Sequence, residues 1–255
     1  MPGRVVSEAT MLRAGATPAV PFDRAFFDSQ VPLSASSAAV VAPIVISLLS
    51  PARVADVGCG VGTWLVAFKR CGVPVVHGFD GAYVRDAGLL VNEDEFTAAD
   101  LTRPLEHAGR YDLALSLEVG EHLPERAAAG LVRGLVSLAP AVLFSAAFPG
   151  QGGTHHVNEQ WPSYWRSLFA QHDYVVLDPV RPLIWEDERV AWWYRCNTYL
   201  YAHRDVVAAN PVLDELARRY SANPLTLVHK QVLRRLAVSG RLAKYRERLA
   251  MRLLG

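Results

Sequence analysis

Three acids and a run of glycines occupy positions where a nucleoside-like ligand can be gripped. The segment Asp56-Val-Gly-Cys-Gly-Val-Gly62 sets Gly58, Gly60 and Gly62 between a β-type run and a helical one. Such a turn lets bare backbone approach a ligand closely. Asp80 ends the next β-type run and Asp100 follows the third. A carboxylate at the first of these places can accept hydrogen bonds from both hydroxyls of a ribose. One at the second can meet the exocyclic amine of adenine, with the Leu101 amide beside it. Nicotinamide and flavin sites also use a glycine-rich first turn. Here, however, Thr63 stands where that fingerprint has glycine or alanine, and Asp56 where it has an apolar residue. Any one of these acids is explained as a helix cap, but acids at the ends of successive strands mark the edge where open α/β sheets bind ligands.

A second group lies downstream. Glu118, Glu121 and His122 fall within about one turn, so two carboxylates and an imidazole can converge on a hard divalent ion with water completing an octahedron. The competing reading is structural, with Glu118 touching the ligand and His122 packing on the following helix. Further on, Gly150-Gln-Gly-Gly153 precedes Thr154-His155-His156-Val-Asn-Glu-Gln-Trp161. Neighbours on an extended chain point to opposite sides, so one histidine of the pair faces a pocket. His156 in that position is a candidate general base, since an imidazole titrates near neutrality. Asn158, Glu159, Trp161, Tyr164 and Trp165 are candidates to shape an acceptor pocket; alternatively Tyr164, Trp165 and Phe169 form one apolar helix face.

The elements that must position these groups alternate along the chain. Residues 1 to about 33 are expected to be irregular, broken by Pro18, Pro21 and Pro32, followed by a helix from Ser34 or Ser36 to Leu49. Strands are expected at Val54–Val57, Val75–Phe79, Phe96–Ala99, Tyr111–Leu117, Ala141–Ser145 and Tyr174–Leu177. The aromatic run Trp192–Tyr201 is read as an added last strand. Helices are expected near Thr63–Cys71, Tyr83–Leu90, Glu125–Leu138 and Pro162–Gln171. This order predicts an α/β fold: a doubly wound, mostly parallel Rossmann-like sheet with an antiparallel last strand. The expected division is an N-terminal segment and packing helix (1–50), the core (51–203) and a basic helical extension (204–255).

The set Val54–Trp64, Gly78-Phe-Asp-Gly81, Ala98-Ala-Asp-Leu101 and Asp112–Pro124 resembles class I S-adenosylmethionine-dependent methyltransferases over most of the chain. That resemblance implies that Asp56, Gly58, Gly60 and Thr63 surround the methionine end of S-adenosylmethionine. It further implies Asp80 and Tyr83 at the ribose, Asp100 and Leu101 at the adenine, and the fourth strand lining the cofactor through Leu117 and Glu118. The Glu118-x-x-Glu121-His122 pattern is similar to metal-assisted O-methyltransferases, including ubiquinone-biosynthesis and small-RNA 2′-O-methylating enzymes. In that comparison His156 completes a Mg²⁺ site with Glu118, Glu121 and His122. The loop Pro149–Trp165 resembles bacterial methyltransferases of glycan or natural-product biosynthesis, which implies a small-molecule hydroxyl as acceptor.

Bulk properties fit that expectation. With 255 residues, 51% of them apolar and 20% charged, the chain can bury a full-sized core. A net charge of +1 offers no global field for nucleic acid. The N-terminus lacks the pattern of a secretory signal; Ser36–Leu49 is shorter than the roughly 20 residues of a membrane span; and Cys59, Cys71 and Cys196 form no CxxC pair or zinc spacing. A cytoplasmic protein with reduced thiols is expected. From Thr226 onward, Lys230, Arg234, Arg235, Arg241 and other basic residues accompany regularly spaced leucines. This basic amphipathic helix could pack on the core or in a homodimer, touch a membrane surface, or grip RNA, packing being the favoured reading.

Overall fold

The computed structural model describes residues 22–105 and 109–220, so the basic run from Thr226 lies outside the described residues. Seven strands form one sheet: β1 (Arg53–Val57), β2 (Val75–Asp80), β3 (Phe96–Ala98), β4 (Leu113–Leu117), β5 (Ala141–Ser145), β6 (Tyr174–Leu177) and β7 (Tyr199–His203). Their order is β3-β2-β1-β4-β5-β7-β6. Every pairing is parallel except those of β7, which runs antiparallel to both β5 and β6. The expected doubly wound sheet with an antiparallel strand is the sheet observed. Strand order reverses between β1 and β4, and this switch point places the turn after β1 beside the segment after β4.

Helices cover both faces because the strands are apolar on both. On β5, Ala141 and Leu143 join one core with α1 (Arg24–Leu49) and α2 (Thr63–Arg70); Val142 and Phe144 join the other with α4 (Glu125–Leu138) and α5 (Pro162–Ala170). Short helices α3 (Val84–Ala87), α6 (Arg181–Ile184) and α7 (Trp192–Asn197) connect strands, and α8 (Arg204–Ala209) and α9 (Pro211–Tyr220) follow β7.

Three expected elements differ. The first helix begins at Arg24, ten residues or more before Ser34 or Ser36, with the Asp23 side chain accepting from the Phe26 amide at 2.9 Å. Pro32 and Pro43 lie inside it. Each costs about 3 kcal/mol in a helix interior, but Phe27, Ala38, Val41, Ala42 and Val45 are buried against the core and offset that cost. At 26 residues α1 also has the length and apolar character of a membrane-crossing helix, although this buried face makes it a packing helix in the fold. The helix expected to reach Leu90 stops at Gly88, whose φ of +95° a side chain would resist. Finally, the aromatic run Trp192–Tyr201 is divided: α7 occupies its first part and only Tyr199 onward enters the sheet.

That division sets the position of Asn197. Arg181, at 1% side-chain exposure, donates to both carboxylate oxygens of Asp178, at 2.9 and 2.6 Å, and to the Cys196 carbonyl at 3.2 Å. The pair fastens α6 to the end of α7, next to Asn197. Asp178→Ala strands a buried guanidinium without its carboxylate, and urea denaturation is expected to show a loss of about 3–5 kcal/mol. A change below about 1 kcal/mol would mean the pair does not hold this corner.

Candidate active site

The turn after β1 is shaped by its glycines. Gly58 and Gly60 have φ of +83° and +51°. The space a Cβ would take at Gly58 is filled by Val119, from the segment after β4, so the two sides of the switch point touch through a missing side chain. The Gly60 amide donates to Asp80 Oδ2 at 2.8 Å; Asp80 Oδ1 accepts from the Gly81 amide at 2.6 Å and from the Tyr83 hydroxyl at 2.8 Å. Burial pushes the Asp80 carboxyl upward in pKa, and these three hydrogen bonds oppose the shift.

A cavity of about 600 Å³ opens at this edge, lined by Gly58, Gly60, Asp80, Tyr83, Asp100, Leu101 and Glu118 together with Phe22, Phe26, Phe27, Val119 and His122. A second, of about 320 Å³, continues from it past Thr63, Leu117 and Glu118 to Glu121, His122, Gln151, His156 and Trp192–Tyr194. Nine of the ten residues expected around the cofactor thus line one cavity or both. Asp56 lines neither. It is 2% exposed, its Oδ2 has no hydrogen-bond partner, and burial followed by the charge of Asp80 raises its pKa to about 7. Asp100 borders the first cavity with its carboxylate already engaged: Oδ1 accepts from the amide and hydroxyl of Thr102 at 3.0 and 2.6 Å, and Arg103 lies 3.3 Å from Oδ2.

Along the second cavity, single ligand atoms of Glu121, His122 and His156 lie within 4.8 Å of one another, with His122 lining the first cavity as well. Glu118, the fourth member of the expected metal set, is not in that group. Its carboxylate accepts from Gln151 Nε2 at 2.8 Å and Asn197 Nδ2 at 3.2 Å. Its φ of +56° turns it away from the path of β4, a conformation costing about 1–3 kcal/mol for a residue with a side chain. Glu121 is fully buried, and burial, followed by the charge of Glu118 and a hydrogen bond between the two carboxyl groups, raises its pKa well above the ordinary carboxylate value. Burial, with His156 adding, lowers His122 to about 4.

His156 reaches the cavity and His155 does not, but the pair lies in a turn, with His155 at φ +56°, and not on the extended chain that alternation assumes; His155 presents its carbonyl to His122 Nδ1 at 3.3 Å. Glu159 holds the loop. Its Oε1 lies 2.9 Å from His156 Nδ1 and accepts from the Gly152 amide at 2.7 Å, while Oε2 accepts from the Gly150 amide at 2.7 Å. Against the opposing effect of burial, these bonds keep its pKa below the ordinary value.

Other candidates for the acceptor pocket are structural. Trp165 packs in the core 5.0 Å from Phe144, Tyr164 lies beside it, Trp161 stacks on Phe148, and Asn158 donates to the Gly120 carbonyl. Conversely, Gln151, Asn197, Trp192 and Trp193 belong to the site or its wall and were missed. Asn197 was concealed within the run read as a strand. Phe22, Phe26 and Phe27 were concealed in a segment read as irregular.

The sheet order and the ligand edge define a class I methyltransferase fold. Residues 38–203, well over half of the chain, match a family model described as a methyltransferase domain, and the chain belongs to that family. Among solved structures it is similar to DesVI of Streptomyces venezuelae, with a TM-score of 0.53 at 13% identity, covering 70% of this chain and 95% of that one. An O-methyltransferase family protein from Burkholderia thailandensis gives a TM-score of 0.52 at 16% identity, covering 71% of this chain and 59% of that one. A putative O-methyltransferase from Nostoc punctiforme gives 0.53 at 14% identity, with coverage of 71% and 59%. The match therefore spans about three fifths of the length of the latter two. No curated protein matches the chain.

Two expectations follow. An unfolded Asp56 ionises near pH 4, but the folded one holds its proton to about pH 7. The folded state therefore loses stability as pH rises through that window, and the loss is level above it. Asp56→Asn removes this dependence: its stability relative to the parent is expected to rise by a few kcal/mol between pH 4 and pH 7 and then stay flat in thermal denaturation, whereas a constant difference would contradict the buried carboxyl. Second, three of the roughly four acceptor sites of the Asp80 carboxylate are taken, so a ribose diol must displace the Tyr83 hydroxyl. Tyr83→Phe is expected to tighten S-adenosylmethionine by about fivefold, one net hydrogen bond, in calorimetry. Weaker binding would instead show the hydroxyl contacting the nucleoside.

Proposed function

We propose that the chain transfers the methyl group of S-adenosylmethionine to a hydroxyl of a small molecule, a sugar or natural product. The observation that carries this reading is the junction of the two cavities. One is bordered by the glycine turn, Asp80 and Leu101, as a nucleoside requires; the other ends on Glu121, His122 and His156. Methyl transfer needs an acceptor aligned in line with the methyl and the departing sulfur. A hydroxyl acceptor also loses its proton: an O–CH₃ bond forms, the S–CH₃ bond breaks, the sulfonium becomes a neutral thioether and one proton is released.

The residues present fit a divalent cation, because ligand atoms of the buried Glu121 carboxyl and of two imidazoles, His122 and His156, lie within 4.8 Å of one another. When bound there, such an ion supplies positive charge that favours the ionised form of a nearby hydroxyl. Glu121, His122 and His156 would hold it; Glu118, anchored by Gln151 and Asn197, sits where the two cavities meet and orients groups there. Phe22, Phe26 and Phe27 line the first cavity with apolar rings. His156 Nε2 has one lone pair, which serves either as ligand or as base.

The small-molecule reading is supported by the linings. Among the described residues neither cavity is bordered by lysine or arginine, which an RNA acceptor would need for its phosphates, and aromatic rings from Trp192 and Trp193 wall the second. The test is turnover on a panel of glycosides, catechols and polyketide aglycones, run in EDTA and again with divalent cation restored. A methylated hydroxyl is expected, with activity lost in EDTA and regained on restoration, and with kcat lowered about 10²–10⁴-fold in His156→Ala at unchanged cofactor affinity. Methylation confined to nitrogen or carbon acceptors, or His156→Ala at full rate, would refute the proposal.

A further inference from the structure

We infer that Gln151 and Asn197 are positioning residues that hold the Glu118 carboxylate where the two cavities meet, and that its charge there discriminates the sulfonium form of the cofactor from the neutral thioether left after transfer. The inference rests on the proposed function for the cofactor alone and holds whatever the acceptor.

Six residues line both cavities: Phe26, Phe27, Gly58, Gly60, Glu118 and His122. Glu118 is the one carboxyl among them. Asp80 and Asp100 border only the first cavity and Glu121 only the second. In S-adenosylmethionine the sulfur joins the 5′ carbon of the nucleoside to the methionine chain. A nucleoside against Asp80 and Leu101, with its methionine end towards Thr63, therefore carries its sulfonium through this overlap. Methyl transfer removes that charge: as the S–CH₃ bond breaks, its electron pair stays on sulfur and a neutral thioether remains. A carboxylate beside the sulfur attracts the first form and gains nothing from the second.

Hydrogen bonds fix where the carboxylate points. Gln151 Nε2 donates to Oε2 at 2.8 Å and Asn197 Nδ2 to Oε1 at 3.2 Å, and the same Asn197 nitrogen donates to Gln151 Oε1 at 2.8 Å. The three side chains form a closed ring. Both amide nitrogens only donate, so the ring suits a carboxylate, which only accepts. Asn197 also decides which way round Gln151 lies, because a turned Gln151 amide would set its oxygen against the carboxylate and its nitrogen against a donor. Glu121 is hydrogen bonded to Glu118 as well.

The ring is anchored from the framework. Asn197 is 3% exposed and ends α7, beside the Cys196 carbonyl that Arg181 holds. Glu118 itself stays partly open, although Leu117 and Val119 on either side of it are buried. Its left-handed φ of +56° is strain of the kind that folds keep at ligand sites.

The experiment is calorimetric titration of the full chain, in EDTA, with S-adenosylmethionine and separately with S-adenosylhomocysteine, which differ only in the methyl and its charge. Glu118→Gln keeps the size of the side chain; it is expected to weaken S-adenosylmethionine about tenfold while S-adenosylhomocysteine stays within about twofold. Asn197→Leu and Gln151→Met remove donors at nearly constant volume, and each should shift the ratio of the two affinities in the same direction by about threefold. On the Glu118→Gln background Asn197→Leu should leave that ratio unchanged, because its effect passes through the carboxylate. Equal weakening of both ligands by Glu118→Gln, a shift from Asn197→Leu that persists on that background, or a parent chain that binds neither ligand would overturn the inference. Should the buried Asn197→Leu not fold, Gln151→Met on the loop gives the same comparison. The two readings fail separately: a shifted ratio in a protein that methylates no hydroxyl defeats the proposed acceptor alone, and a methylated hydroxyl with an unshifted ratio defeats this inference alone.

Discussion

One carboxylate organises the ligand edge. Asp80 ends β2, yet it accepts from Gly60 in the turn after β1 and from Gly81 and Tyr83 in the turn after β2. Two connections from neighbouring strands are therefore tied to a single side chain that is 6% exposed. The turn after β1 can come so close only because Gly58 has no side chain where Val119 lies. Val119 in turn belongs to the segment that carries Glu118, Glu121 and His122. A bond at β2, a missing methyl at β1 and a segment after β4 are thus one mechanical unit across the switch point. The metal-ligand candidates are placed relative to Asp80 by packing rather than by loop chance.

The same edge concentrates buried carboxyl groups. Asp56, Asp80 and Glu121 are all nearly or fully buried, and among the described residues the most buried cation, Arg181, is committed to Asp178. Burial drives the pKa of each of the three acids upward. Such a cluster destabilises the empty fold and favours positively charged occupants, because an ion or cationic ligand relieves several desolvated acids at once. A sulfonium cofactor on one side and a divalent cation on the other are the two occupants that this charge distribution suits.

Strand positions and the ligand edge were legible because they follow from short-range rules: apolar runs of strand length, glycines with no side chain to clash, and acids at strand ends. Nine of ten expected cofactor residues reach a cavity for that reason. The failures share a different cause. Pro32 and Pro43 argued for a break that burial of one helix face overrides, and the aromatic run after Ala191 has high β-propensity throughout, although tertiary contacts of Arg181 with Cys196 turn its first half into α7. Glu118 and Glu121 were read as equivalent because they are three residues apart. Their separation depends on a φ of +56° at Glu118 and on amide donors from Gln151 and Asn197, the latter 79 residues away, and no local pattern encodes either.

That last dependence bears on how one scaffold serves different acceptors. The groups shared with a nucleoside-binding edge come from β1, β2 and β3. The second cavity is walled instead by the loop holding Gln151 and His156 and by Trp192 and Trp193 of α7, the helix that also carries Asn197. These two late segments meet through the side chains of Asn197 and Gln151, joined at 2.8 Å, and both contact Glu118. A substitution in either segment therefore shifts the carboxylate at the junction of the two cavities as well as the wall of the second one. The wall of the second cavity and the junction of the two cavities are coupled through three polar side chains, and the turn after β1 is tied to the same segment because Val119, next to Glu118, packs against Gly58.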